Sequence, residues 1–349
     1  MVAPPATPKP QIGRPPGSLG FDYFMFAITF WPLAGAFADA YAHSNSPRLE
    51  TFFTPWHGIL YSGALAVIVS NLIVMRRNHA LGYAWNKAVP AGYEMTVFGT
   101  ILLVVAGISD LTWHTLFGIE KNIAAVVSPT HLLLATSLAI IFAGPLRSAI
   151  SRKETLRGAQ QVPLLLSATF TFTLICILTQ FLNPLANLWA AYGDVDLFHN
   201  PPYPPIDPFI TQSLGLASIA FFTALVMGFV LFLVRRWSLF PGALTIFLGF
   251  SMTVISGIVG SPNLIPAALV TGIVGDILLF ALRPSAAPGP IPFRIFAFML
   301  PVALWTAYYV DLLATVGLAW QVHLWVGSIF GAAIIGWALS YLVYPPVAE

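Results

Sequence analysis

The stretch DAYAHSNSPRLETFFTPWH, residues 39–57, links the end of one apolar run to the start of the next. The stretch DLTWHTLFGIEKNIAAVVSPTH, residues 110–131, does the same farther along the chain, with the same order of polar residues. In each, an Asp is followed four residues later by a His, and then by Thr-Pro-x-His or Ser-Pro-x-His. Because apolar runs flank both, each stretch predicts the tip of a helical hairpin that crosses a membrane and returns.

The composition of the chain is that of an integral membrane protein. Hydrophobic residues make up 58% of the 349 positions and charged residues only 8%, with a mean hydropathy of +0.82. A spanning helix needs about 20 apolar residues. Ten runs approach that length, at 19–42, 57–75, 94–117, 129–147, 163–186, 208–234, 239–259, 262–282, 291–316 and 321–343. The sequence therefore predicts an all-α, polytopic membrane helical bundle of about ten transmembrane helices, with broken segments allowed in the Gly- and Pro-rich region 239–282.

Several function classes are excluded by the motifs that the sequence lacks. It has no Gly-rich phosphate loop, no His-Glu-x-x-His motif and no basic patch for nucleic acid. The single cysteine, Cys176, excludes an internal disulfide and a thiolate metal cluster. We therefore expect membrane lipids among the partners of the chain, and no nucleic acid.

The distribution of Lys and Arg between alternate loops predicts the orientation of the chain in the membrane, because cytoplasmic loops carry the excess of these residues. With the N-terminus inside, all of the 15 basic residues except Arg48 and Lys121 fall on the cytoplasmic side. Both termini are then cytoplasmic, including a Pro-rich tail over residues 1–18, and the two polar stretches face the extracytoplasmic side. The expected location is a bacterial plasma membrane.

Residues 19–147 are predicted to hold two copies of one hairpin, about four transmembrane helices in all. Each returning helix begins with an N-cap residue, Thr54 or Ser128, followed by Pro at the first helical position. Residues 148–349 are predicted to form the remaining bundle of about six helices, in which the hairpin pattern is degenerate.

The repeated polar set is typical of a metal site. Each set combines an Asp and a His four positions apart, on one helix face, with a second His on the returning helix. The members are Asp39, His43 and His57 in the first set and Asp110, His114 and His131 in the second. Such mixed N/O ligands suit copper, zinc or iron, and ionisable groups near the bilayer need partners. Structural ion pairs, haem ligation and a proton relay are the alternatives for these residues.

The spacing Asp39-x3-His43-x13-His57 resembles the Asp-x3-His-x12-His copper motif in the membrane C subunit of the particulate methane and ammonia monooxygenases. That subunit also has a neighbouring Asn-x3-His-x13-His set, where this chain has Asp110 and a longer loop. The resemblance covers residues 35–135 and implies copper and oxygen chemistry at the outer face. The chain departs from that family in the Asp that replaces Asn, and in having more predicted helices than that subunit.

Four further residues are candidates for orienting the imidazoles or for extra ligands. Glu50 and Glu120 lie in the two corresponding outer loops. Asp311 and His323 resemble an incomplete third set. In addition, the intramembrane carboxylate of Asp276 suggests proton handling.

Two functions fit these patterns. One is a copper-dependent, monooxygenase-like membrane oxidoreductase that acts on an apolar substrate and takes electrons from an external donor, since no electron-entry domain is recognisable. The other is a metal-acquisition or transport protein, or a structural subunit of a larger membrane complex. Either function allows partner membrane subunits or a homo-oligomer.

Overall fold

The computed structural model describes residues 11–45, 52–120, 123–191, 207–259, 261–286 and 289–345. These residues form α-helices joined by short 3₁₀ and π segments, and the described ranges contain no β-strand. The α-helices are α1 (Leu19–Asn45), α2 (Pro55–Ala80), α3 (Glu94–Phe117), α4 (Ile123–Val127), α5 (Pro129–Phe142), α6 (Gly144–Ser151), α7 (Val162–Leu178), α8 (Pro208–Arg236), α9 (Phe250–Ile258), α10 (Ile265–Leu282), α11 (Ile291–Thr315) and α12 (Val322–Val343). The predicted all-α polytopic bundle is confirmed.

Nine helical segments in the described ranges are long and apolar enough to cross a membrane, with α5 and α6 counted as one segment. The remaining run of the ten predicted, 239–259, forms a shorter helix over Thr245–Ile258. That helix opens with a π-helical turn, Thr245–Gly249, and is preceded by Gly242 with a φ of 91°. The broken segment expected in the 239–282 region is therefore located at the start of α9.

The intramembrane carboxylate of Asp276 has a structural task at this broken helix. It accepts hydrogen bonds from the backbone N–H groups of Leu244 and Thr245, each at 3.0 Å, and from the Thr245 hydroxyl at 2.6 Å. Backbone donors at a helix start have no intrahelical partner, and burying them unpaired in an apolar layer is costly. Asp276 on α10 therefore caps the neighbouring short helix from the side.

The chain divides into two compact units. Unit 1 comprises residues 1–156 and 162–174, and unit 2 comprises residues 157–161 and 175–349. In unit 1, α1 packs along α2 and α3 packs along α5, while α1 also contacts α5 and α2 contacts α3. In unit 2, α12 packs against both α8 and α11, and α10 packs against α11.

Glycine allows the helices of the first hairpin to approach closely. A Cβ at Gly35 would lie 2.3 Å from the backbone nitrogen of Leu60, and one at Gly63 would lie 2.4 Å from that of Pro32. Small residues at such crossings are the usual way in which membrane helices pack without a hydrophobic driving force. This close crossing fixes the end of α1, which carries Asp39 and His43, against the start of α2, which carries His57.

The other end of unit 1, where α1 begins, is held by a buried ion pair between Asp22 and Arg152. The Tyr93 hydroxyl donates to the same carboxylate at 2.8 Å. Burial, with the Asp22 charge beside it, raises the pKa of Tyr93, so the phenol stays a hydrogen-bond donor. The pair lies at the opposite end of the hairpins from their polar tips and anchors α1 to the segment after α6.

Candidate metal centre

All six residues of the two predicted metal sets lie at one end of unit 1. Asp39 and His43 occupy the last turns of α1, and His57 begins α2. Asp110 and His114 occupy the last turns of α3, while His131 begins α5. Because α1 and α3 run toward this end and α2 and α5 run away from it, the hairpin topology alone brings the ligand-bearing ends together.

The predicted helix caps are confirmed. The Thr54 hydroxyl accepts a hydrogen bond from the backbone N–H of His57, and the Ser128 hydroxyl accepts one from that of His131, each at 3.3 Å. A cap fixes where a helix starts and therefore which direction its first side chains take. Each returning histidine is thus held by its own backbone at the head of its helix.

The first set places both imidazoles around one carboxylate oxygen. Asp39 Oδ1 lies 3.2 Å from His57 Nε2 and 3.7 Å from His43 Nε2. The side chain of Asp39 is only 17% exposed, so water screens these groups weakly.

The second set is tighter and more deeply buried. Asp110 Oδ1 lies 3.5 Å from His114 Nε2 and 3.4 Å from His131 Nε2. One potential ligand atom from each of these three residues lies within 4.8 Å of the others, which is the spacing of groups around a shared metal ion. The side chain of Asp110 is 0% exposed. By geometry and by residue type, this group could hold a metal ion.

The hydrogen bonds of the imidazoles determine which nitrogen faces the carboxylates. His57 Nδ1 lies 2.5 Å from the carbonyl oxygen of Phe52, and His131 Nδ1 contacts the carbonyl oxygen of Ala125. A carbonyl oxygen can only accept, so in both histidines Nδ1 carries the proton. In the neutral ring, Nε2 then presents a lone pair to the Asp oxygen in front of it.

Lone pairs that face each other in a buried site repel unless a cation lies between them. Asp39 Oδ1, both carboxylate oxygens of Asp110, and His131 Nε2 are all buried without a hydrogen-bond partner among the described residues. Buried polar atoms are normally paired, and a buried carboxylate without a partner is especially costly. The donor set therefore fits a metal ion, with Nδ1 fixed by a carbonyl and Nε2 free to coordinate, as is usual for metal-bound histidine.

The two sets meet in one cluster. The ring of His43, from the first set, lies 5.6 Å from the ring of His131, and His131 lies 5.4 Å from His114. His43, His57 and His114 also line one small cavity of about 10 Å³, which is about the room that a single water molecule needs. The sequence predicted two sets at the same end but did not determine that their imidazoles would be in contact.

Glu120 lies beside an imidazole of the second set. Its Oε2 is 3.2 Å from His114 Nδ1, on the side of the ring away from Asp110, but both of its carboxylate oxygens are buried without a hydrogen-bond partner among the described residues. His114 Nδ1 also lies 3.3 Å from the carbonyl oxygen of Gly118. A carboxylate on the outer nitrogen of an imidazole orients the ring and raises its basicity. The corresponding residue of the first loop, Glu50, lies outside the described residues.

The other two predicted extra ligands belong to unit 2. Asp311 accepts a hydrogen bond from the backbone N–H of Ala267 at 3.2 Å, at the start of α10. His323 is exposed near the start of α12 and forms no ion pair with a carboxylate of the described ranges. Their metal ligation stays a prediction.

Sequence analysis missed the apolar groove that runs beside the cluster. The groove lies between α2 and α3, has a volume of about 280 Å³ and opens on the outer face of the helices, where Leu65 and Ile108 are 59% and 64% exposed. Its inner end is formed by Tyr61, whose hydroxyl is buried without a hydrogen-bond partner among the described residues, and by Phe52. The two helices belong to different predicted hairpins and are apolar on all sides, so no pattern in the sequence indicated a groove between them.

Phe52 separates the groove from the histidines. Its ring lies 4.7 Å from that of His57 and 6.0 Å from that of His114, and 5.9 Å from Tyr61 on the groove side. Tyr61, which also lines the groove, lies 5.9 Å from the His57 ring, so these two aromatic side chains separate the apolar groove from the candidate metal ligands.

The fold and this site define an integral membrane protein with a candidate Asp/His metal-binding group. Comparison of the chain with protein-family models, with curated proteins and with solved structures gives no match in any of the three. The resemblance to the monooxygenase C subunit therefore remains a prediction that rests on residues 35–135 alone.

Proposed function

We propose that this chain is a membrane metalloprotein that holds copper at the cluster of Asp39, His43, His57, Asp110, His114 and His131, and that it serves as a monooxygenase-like oxidoreductase for an apolar substrate. The observation that carries the proposal is that histidine Nε2 lone pairs face carboxylate oxygens of Asp39 and Asp110 that are buried and have no hydrogen-bond partner among the described residues. A mixed imidazole and carboxylate set binds copper more tightly than other divalent metals of the first row. The spacing of the first set, which resembles a copper motif, supports the same choice.

The chain's own residues have clear tasks in this proposal. Asp110 and Asp39 supply negative charge to the metal, and the four imidazoles supply neutral nitrogen ligands. The carbonyl of Phe52 fixes the tautomer of His57, and Glu120 orients His114. Bound copper would supply electron transfer and oxygen activation. Three protein ligands in each set leave coordination positions open, which is typical of catalytic rather than structural sites.

The groove between α2 and α3 supports an apolar substrate. It is accessible from the lipid-facing surface and ends at Phe52, next to His57 and His114. A small apolar molecule dissolved in the bilayer would therefore reach the cluster without crossing water. Electrons would come from an external donor such as quinol.

Transport of the metal is the weaker alternative. A transporter needs ion ligands near the midplane. The intramembrane carboxylate of Asp276 is instead taken up by hydrogen bonds to the start of a neighbouring helix. The ligands in unit 1 are also concentrated at one end of the helices rather than spread along them.

The test is metal analysis by mass spectrometry together with electron paramagnetic resonance on the detergent-purified protein. We expect about two copper ions per chain, one for each set, with a spectrum of mixed N/O ligation. Replacing His57 or His131 with Ala should each lower the copper content, whereas His79→Ala, which removes an exposed imidazole stacked on Trp85, should not.

Full copper occupancy in both variants would exclude the cluster as the metal site. A metal-free protein after preparation with copper, zinc and iron supplied would reduce the Asp-His-His sets to structural ion pairs. If copper is bound, oxygen consumption with a panel of short alkanes and a quinol donor tests the oxidoreductase part separately.

A further inference from the structure

A second polar site lies in unit 2, at the end where α8, α10 and α12 finish and α11 begins. Three arginines occupy it: Arg235 in the last turn of α8, Arg283 just after α10, and Arg294 in the first turn of α11. We call these residues, with Tyr341 of α12 and Tyr344 directly after that helix, the arginine patch. The Ser285 hydroxyl donates to the carbonyl of Val234 at 2.6 Å and ties the turn after α10 to the end of α8.

Two of the arginines are stacked on tyrosine rings. The guanidinium carbon of Arg235 lies 4.1 Å from the ring centroid of Tyr344, and that of Arg294 lies 3.7 Å from the ring centroid of Tyr341. Tyr341 lies in the last turn of α12, and Tyr344 is the residue that directly follows the helix. The ring of Phe293, the residue next to Arg294, lies 5.9 Å from Tyr344 and closes the group. Each of the two guanidiniums is therefore held against a tyrosine ring near the end of α12.

These ring contacts hold the two guanidiniums in place but supply no acceptor lone pair for their five N–H groups. The Nε of Arg294 is buried and has no acceptor among the described residues. A buried guanidinium donor without an acceptor is the mark of a missing partner.

The described residues of unit 2 offer no carboxylate for this role. No Asp or Glu in the described ranges lies within 4.0 Å of a nitrogen of Arg235 or Arg294. Asp276 and Asp311 bind backbone N–H groups. Asp207 caps the start of α8, at the far end of that helix from Arg235. Among the residues that the structure describes, the patch is therefore a concentration of positive charge without a carboxylate counter-ion.

We propose that the arginine patch binds the phosphate of an anionic phospholipid, with Arg235 and Arg294 donating to its oxygens. Arginine matches the planar, two-oxygen geometry of a phosphate. The patch lies where apolar helices end, which is the depth of lipid headgroups, and basic pockets between membrane helices are known to take such headgroups. The site is separate from the metal cluster and does not depend on the proposed function.

The experiment measures lipid retention by the full chain. Detergent-purified, delipidated protein is titrated with phosphatidylglycerol, with phosphatidylcholine and with inorganic phosphate, and bound molecules are counted by native mass spectrometry. We expect phosphatidylglycerol to bind at least about tenfold more tightly than phosphatidylcholine, because of charge-assisted bonds to two guanidiniums. Inorganic phosphate in excess should displace it only weakly, since the lipid also binds through its chains.

The variant R235Q/R294Q should lose this preference and bind both lipids alike. The matched control is R76Q/R77Q, which removes the same charge from an exposed arginine pair near the end of α2 and should keep the preference. R235K/R294K keeps the charge but loses the fork of donors, and should retain at most a small part of the preference; it also serves as the test if the glutamine variant fails to insert.

Three outcomes would overturn the proposal. The first is an unchanged preference for phosphatidylglycerol in both patch variants. The second is an equal loss of that preference in the R76Q/R77Q control, which would indicate unspecific surface charge. The third is displacement of the lipid by inorganic phosphate at concentrations comparable to those of the lipid, which would indicate a site for a free anion.

Discussion

Replacing Asp110 with Asn gives the sharpest test of the metal cluster, because the stability that it should add to the metal-free protein should be mostly or wholly cancelled when metal is present. The Asp110 side chain is fully buried, neither oxygen has a hydrogen-bond partner among the described residues, and the Nε2 atoms of two histidines lie 3.4 and 3.5 Å from Oδ1. Without metal, the carboxylate is an uncompensated buried charge. The Asn amide is neutral and can donate a hydrogen bond to an Nε2 lone pair.

The magnitudes follow from these contacts. Relief of an unpaired buried charge should stabilise the metal-free variant by about 1–3 kcal/mol. In the wild type, metal at about 100 times its Kd adds about 2.7 kcal/mol to the free energy of unfolding. If loss of the charged ligand weakens binding about 100-fold, the same metal concentration adds only about 0.4 kcal/mol to the variant. Asp110→Asn should therefore be more stable than the wild type without metal and should lose most of the stabilisation that metal provides.

The assay is denaturant unfolding in detergent, followed by circular dichroism with and without copper, together with calorimetric titration of copper binding. Asp207→Asn is the matched control, because its carboxylate accepts a hydrogen bond from the backbone N–H of Phe209 at the start of α8 in unit 2, which an amide oxygen can still accept. Equal destabilisation of Asp110→Asn in both conditions would refute the reasoning, since it would mean that the carboxylate pairs with protonated histidines and not with a metal.

Three further variants test the surroundings of the cluster. Val104→Phe fills the groove and should lower alkane-dependent oxygen uptake about tenfold at unchanged copper content. Val105→Phe, at an exposed position outside the groove, should not lower it. Equal losses of oxygen uptake in the two variants would argue against the groove as the substrate path. Gly63→Ala should cost about 1–3 kcal/mol of unfolding free energy by overpacking against α1 and should lower copper affinity, while Gly58→Ala, with no atom within 4 Å of the added Cβ, should do neither. Asp276→Ala should destabilise the chain by about 1–3 kcal/mol for each unpaired backbone donor without changing its copper content, and a loss of copper would contradict its purely structural role.

Sequence alone determined the class of fold and predicted which residues form the candidate site. Apolar runs of spanning length predict helices because no other open structure satisfies backbone hydrogen bonds in lipid. The Thr-Pro and Ser-Pro caps located the start of two returning helices, since a cap and a proline at the first helical position are local features. The four-residue spacing placed Asp110 and His114 on one face for the same local reason.

Tertiary structure decided how these parts act on one another. Three features of the site depend on the angle and depth at which helices cross. His43 lies against His131, the carbonyls of Phe52 and Ala125 fix the tautomers of two histidines, and Phe52 lines the end of the groove. Those crossings are set by close contacts such as that of Gly63 with Pro32, which pair residues far apart in the chain. The task of Asp276 was hidden for the same reason, because its donors lie on a neighbouring helix more than 30 positions earlier. Spacing along one helix is a property of the sequence, whereas spacing between helices is a property of their packing.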